Sequence, residues 1–173
     1  MYAAICREVP NLKILVLSDS HGSIDNMIRA IETHHPDHII FLGDGHRDFE
    51  ELQRMYFHIP MYGVLGNCDR GSHGPEQHVD ELDGIRIFAC HGHAFGVKTT
   101  LLHLYYAALE RNAAIALYGH THAAKHEYLQ GMHFFNPGSC GGLRPSCGII
   151  TIENGTADFR IHRITFENTE EQL

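Results

Sequence analysis

Side chains of metal-ligand type recur behind the apolar runs of this chain. Asp19 and His21 follow Lys13–Ser18, Asp44 follows His38–Leu42, and Asn67 follows Met61–Leu65. His91 and His93 follow Ile85–Cys90, and His120 and His122 follow Ala113–Tyr118. If each run is a strand, these residues sit just past its C-terminal end, the rim where ligands bind in open α/β sheets. Two carboxylates, a carboxamide and several imidazoles suit Mn, Fe, Ni, Zn or Co. The set is too rich in nitrogen for calcium and too poor in thiolate for a structural zinc site. It is large enough for two ions, with Asp44 able to give one oxygen to each. A metal pair about 3.5–4 Å apart is the usual clamp for phosphoryl transfer. Glycines 22, 43, 45, 66, 92 and 119 flank these positions and allow tight loops there.

The elements that would position these residues can be read from periodicity. Lys13–Ser18, His38–Leu42 and Met61–Leu65 read as buried strands. Between them, Ile24, Met27, Ile28 and Ile31 mark one face of a helix with Ser23 as its N-cap, and Asp48–Tyr56 reads as a second helix. The pattern β-α-β-α-β predicts parallel strands with right-handed crossovers. The second half is richer in hairpins. Asp83-Gly84 joins His78–Leu82 to Ile85–Cys90, and Asn154-Gly155 joins Gly148–Glu153 to Asp158–Thr165; both dipeptides signal type I′ turns. Leu101, Leu104, Tyr105, Ala108 and Leu109 make another helical stripe, Ala113–Tyr118 is a strand, and His126–Leu129 and His133–Asn136 form an antiparallel pair. The expected architecture is α/β: a four-layer α/β/β/α sandwich of two mixed sheets with flanking helices. Residues 1–11 are expected as an N-terminal extension, 12–166 as the domain and 167–173 as a polar tail.

Composition narrows the function classes. The formal net charge is −8 with no Lys/Arg run, which argues against general nucleic-acid binding. An anionic substrate must then be held locally, and bound cations would serve. Five Cys without a CxxC spacing argue for reduced thiols in a cytoplasmic protein. No apolar stretch reaches a membrane span, and residues 1–10 lack the core of a signal peptide.

The segments LSDSHG (17–22), GDGHRD (43–48), GNCD (66–69), HGH (91–93) and GHTH (119–122) resemble the calcineurin-like metallophosphoesterases. The likeness covers residues 12–165. It is closest to the small bacterial and archaeal phosphodiesterase branch, which is related to the retromer scaffold subunit. The resemblance implies that Asp19, His21 and His122 bind a first divalent metal and Asn67, His91 and His120 a second. Asp44 bridges them together with a water or hydroxide that attacks phosphorus in line. It implies two divalent ions, manganese first, with Ni, Fe or Zn as alternatives. It also implies a small phosphodiester substrate and allows for a homo-oligomer. Asp44, Asn67 and His91 would then be catalytic as well as metal-binding.

Where many relatives have His, this chain has Cys68. That His is thought to protonate the leaving group, so the proton donor is open among Cys68, His93 and His46. Asp48 either orients a ligand from outside the site or caps the next helix. Asn136–Ser139 is either a plain turn or a loop near the site. Cys90 reads as core, and Tyr105 and Tyr106 as helix packing. His34, His35, His103 and His162 read as surface or structural. Two rival functions remain: a non-catalytic binding scaffold of the same fold, and a phosphomonoesterase or nucleotide pyrophosphatase. A full set of seven ligands favours catalysis over the scaffold. Specificity is expected from the loops Arg70–Gln77 and Phe95–Thr99.

Overall fold

The computed structural model describes residues 11–165. The expected N-terminal extension, apart from Asn11, the polar tail and Cys6 lie outside the described residues. Strands β1 (Leu12–Leu17), β2 (His38–Phe41) and β3 (Met61–Gly63) are parallel neighbours, linked through helices α1 (Ile24–His34) and α2 (His46–Met55). β9 (Ser146–Glu153) and β10 (Thr156–Arg163) add antiparallel to β1, giving the order β10-β9-β1-β2-β3. The second sheet, β4-β5-β6-β8-β7, comprises β4 (Gln77–Leu82), β5 (Ile85–Cys90), β6 (Ile115–Leu117), β7 (Lys125–Leu129) and β8 (Met132–Asn136). Helix α3 (Leu102–Glu110) joins β5 to β6, and β5, β6 and β8 are parallel.

Alternation along β1 and β2 separates the layers, because successive strand side chains point to opposite faces. Leu15, Leu17, Ile39 and Phe41 pack under α1 and α2 with Met27, Ile31, Phe49 and Leu52. Ile14, Val16, Ile40 and Leu42 face the second sheet and meet Ile87, Ala89, Ile115, Leu117 and Phe135. Phe88, Ala116 and Phe134 pack outward against Leu104, Ala107 and Ala108 of α3. The result is the four-layer sandwich expected from the sequence. With both faces covered, residues 14–17 of β1, 39–41 of β2 and all of β6 read as unbroken apolar runs.

Both hairpin signals hold. Asp83 and Gly84 have φ 50° and 77°, and Asn154 and Gly155 have 51° and 75°, as a type I′ turn demands. Two local expectations differ. Ser23 occupies the N-cap of α1, but its hydroxyl makes no capping bond; its backbone N–H instead donates to the Ser20 carbonyl. Leu109 is exposed and Ala107 takes its expected place in the core, because the buried face of α3 is narrower than its apolar stripe.

Candidate metal centre

The rim residues converge. Three imidazoles surround the Asp19 carboxylate: His122 Nε2 lies 3.2 Å, His91 Nε2 3.9 Å and His21 Nε2 4.0 Å from Oδ1. His21 and His122 bring their Nε2 atoms to 3.4 Å. On the other side His91 Nε2 is 3.3 Å from Asp44 Oδ2, and the rings of His91 and His120 are 5.0 Å apart. Potential ligand atoms cluster within 4.8 Å in three groups: Asp19/His21/His122, Asp44/His91/His120 and His21/Asp44/Cys68. Asp44 and His21 each belong to two of these groups, so the three groups form one continuous cluster.

Backbone conformation aims these side chains. Asp19, His21, Asp44, His120 and His122 all have φ between 46° and 65°. Left-handed backbone is uncommon outside glycine, although Asn, Asp and His are enriched in it, and such residues concentrate at functional sites. Glycines let the loops close on one another. A Cβ on Gly66 would strike the backbone N and side chain of Asp44, and one on Gly119 would strike Ser18 Oγ and Asp19 Oδ2.

Hydrogen bonds fix which atoms face inward. Asp19 Oδ2 accepts from Ser18 Oγ (2.5 Å) and from the His120 amide (3.1 Å), leaving Oδ1 for the cluster. His91 Nδ1 donates to the Leu42 carbonyl at 2.7 Å, so in the neutral ring Nε2 carries the lone pair. Asp19 Oδ1 and His91 Nε2 are both buried without a hydrogen-bond partner. Leaving buried polar atoms unpaired costs about 1–3 kcal/mol each, and a cation would satisfy both. Burial pushes the Asp44 carboxyl up, but the adjacent His91 and the hydrogen bond from the Cys68 amide outweigh it and hold the group well below the usual carboxylate range. Burial, Lys98 and His91 push His120 down, favouring the neutral imidazole that a metal needs. The donor set therefore fits divalent metal.

Asn67 and Cys68 lie at the exposed margin. The Cys68 amide donates to Asp44 Oδ1 at 2.7 Å, and the Asn67 amide nitrogen lies 3.3 Å from Cys68 Sγ. The thiol is pushed up chiefly by its hydrogen bond to Asp44. His93 begins a short 3₁₀ turn, with its ring 6.1 Å from that of His120. His46 is buried in the first turn of α2.

The open assignments around the site resolve as loop ties. Asp48 Oδ2 accepts from Ser20 Oγ (2.6 Å) and the Gly22 amide (2.8 Å), joining α2 to the Asp19–His21 loop. Asn136 is fully buried; its amide donates to the Gly119 carbonyl and Thr121 Oγ1, and Ser139 Oγ donates to the Asp19 carbonyl. Asn136–Ser139 thus pins two ligand loops. Sequence reasoning missed Asp69, whose carboxylate accepts four backbone N–H groups, from Asp44, Gly45, His46 and Gly66. Its only signal was its place two residues beyond Asn67. Burial pushes the Cys90 thiol up to about 12, in keeping with a core role.

Known proteins resemble this chain in sequence and in fold. The calcineurin-like phosphoesterase superfamily domain matches residues 12–155. A probable metallophosphoesterase, YsnB, of Bacillus subtilis (strain 168) is 33% identical over 87% of this chain and 90% of its own. A phosphodiesterase of Methanocaldococcus jannaschii is 26% identical, covering 82% and 94%. The crystal structure of an uncharacterized protein from Streptococcus pneumoniae TIGR4, described as a predicted phosphoesterase, matches with TM-score 0.74 at 29% identity. That match covers 89% of this chain and 90% of the other.

Proposed function

The chain belongs to the calcineurin-like phosphoesterase superfamily, a metal-dependent family, and from that premise we propose that it is a two-metal phosphodiesterase acting on small diesters. The observation that carries the reading is Asp44, shared between ligand groups, beside two buried unpartnered atoms, Asp19 Oδ1 and His91 Nε2. Asp19, His21 and His122 would hold one divalent ion, and Asn67, His91 and His120 a second, with Asp44 common to both. Manganese is the first choice, with Ni, Fe or Zn as alternatives. The bound pair would lower the pKa of a water toward neutrality and offset charge on the phosphoryl oxygens.

The reaction adds water oxygen to phosphorus, breaks one ester P–O bond and delivers a proton to the departing oxygen. The Cys68 amide and His91 hold the Asp44 carboxylate from two sides. Asp69 holds the Asp44 loop against the Asn67–Cys68 loop. Arg70 borders a 420 Å³ pocket that includes His21, Asp44 and Cys68, where an anion would find a cation. Cys68 and His93 flank the cluster as donors to the leaving oxygen. A thiol is a weaker acid for this task than an imidazolium, so the site should prefer diesters whose leaving groups need little protonation.

Two observations favour diesterase over the rival functions: Cys at position 68, and the relative named as a phosphodiesterase. The complete ligand set favours an enzyme over a scaffold. The test is hydrolysis of an aryl diester beside the corresponding monoester by metal-stripped protein, with Mn, Ni, Zn or Mg restored. Restored diester turnover that greatly exceeds monoester turnover is expected. Monoester preference would install the phosphomonoesterase reading. Metal binding with no turnover on either would install the scaffold.

A further inference from the structure

A 740 Å³ groove opens beside the metal cluster on the outer face of the second sheet. It exists because α3 packs over β6 while, among the described residues, no helix covers edge strand β7. Alternation along β7 turns Lys125, Glu127 and Leu129 to this face and His126 and Tyr128 to the other, where His126 stacks on Phe159. Leu101, Tyr105, Tyr118 and Phe134 form the apolar walls.

The groove begins at the candidate ligands. Thr121, between His120 and His122, lines it, and its Oγ1 is held by Asn136. Lys98 lines the groove as well. Glu127, the one acid in the lining, is paired with Lys125 at 2.8 Å. The charge left in the lining is therefore positive, in a chain of net charge −8. The other pocket at the cluster sets Arg47 and Arg70 beside Asp44, Asp48 and Asp69.

We propose that this groove is the subsite for the non-leaving arm of the diester and selects an aromatic or similarly broad apolar group there. The proposal rests on the phosphodiesterase reading of the adjacent cluster. The volume suits such an arm, since ligand sites run to about 300–1,000 Å³, and Leu101, Tyr105 and Leu129 supply apolar surface among the polar lining residues. Lys98 supplies a cation for the phosphodiester anion, while Leu101, Tyr105 and Leu129 contact the arm. Tyr105 thus has a role beyond the helix packing expected of it.

The test compares phenyl p-nitrophenyl phosphate with methyl p-nitrophenyl phosphate. The leaving group is the same, so the ratio of kcat/KM reads the other arm. In wild type the ratio should favour phenyl, and in Leu129→Glu, an exposed position that tolerates charge, it should fall about tenfold through KM rather than kcat. A ratio that does not change in Leu129→Glu or in Tyr105→Ala overturns the subsite. If neither ester is hydrolysed with any metal, the diesterase reading fails. The groove is then judged by ¹⁵N NMR titration of the metal-free protein with diphenyl phosphate. Shifts at residues 97–102 and 129–130 uphold a site for aryl phosphate. Shifts elsewhere, none, or shifts that follow protein concentration instead of ligand overturn it.

Discussion

Asp19 divides one carboxylate between two tasks. Oδ2 is spent on Ser18 and the His120 amide, and Oδ1 is kept free among three imidazoles. Asp69 does the opposite and gives both oxygens to backbone N–H groups. Asp69→Ala should cost about 3 kcal/mol or more, since it orphans several N–H groups that bonded a charged acceptor. It should also weaken metal binding, as read by denaturant unfolding and calorimetric titration. Unchanged metal affinity would show that Asp69 merely stabilises the loop. Cys68→His should restore an imidazole donor and raise turnover of diesters with poor leaving groups relative to good ones. A leaving-group dependence equal to wild type would remove Cys68 from proton transfer. The candidate ligands were legible because each follows an apolar run. Asp69 was not, because an acid in a glycine-flanked loop looks the same whether it binds backbone, metal or water.

At the scale of elements, strands set the rim and the loops behind them are tied together. Asn136 links the end of β8 to the His120–His122 loop through two hydrogen bonds from a fully buried amide. Asn136→Ala should cost about 2 kcal/mol and also loosen metal binding. Its neighbour Phe135 points into the inter-sheet core, so Phe135→Ala should cost about 3–5 kcal/mol while leaving metal stoichiometry unchanged. Thermal unfolding and metal titration of the two variants separate these effects, and equal loss of metal in both would refute the distinction. Strand positions were readable from short apolar runs and the hairpins from Asp-Gly and Asn-Gly, whose positive φ the chain adopts. The purpose of Asn136–Ser139 was not readable, because the bonds it makes cross from one loop to another and leave no periodic trace. The groove beside α3 was hidden for a similar reason. It is defined by a strand that no helix covers among the described residues.

Across the whole molecule, ligands arrive from loops of both sheets. Metal should therefore lock the two halves of the sandwich together. Filling one site to a hundred times its Kd adds about 2.7 kcal/mol, which for a domain of this size raises Tm by roughly 5–11 °C. Scanning calorimetry of the stripped and metal-loaded protein checks this, and a Tm indifferent to Mn and Zn would mean that the cluster is not a metal centre. Among the described residues no helix is long and apolar enough to cross a membrane.

The central claim is that Asp44 joins two metal sites, and metal counting tests it most directly. Stripped protein equilibrated with Mn or Zn and analysed for bound metal per chain should carry two ions. Asp44→Asn should carry at most one and lose diester hydrolysis. A wild type that binds a single ion, or an Asp44→Asn variant that keeps two ions and full turnover, would contradict the account.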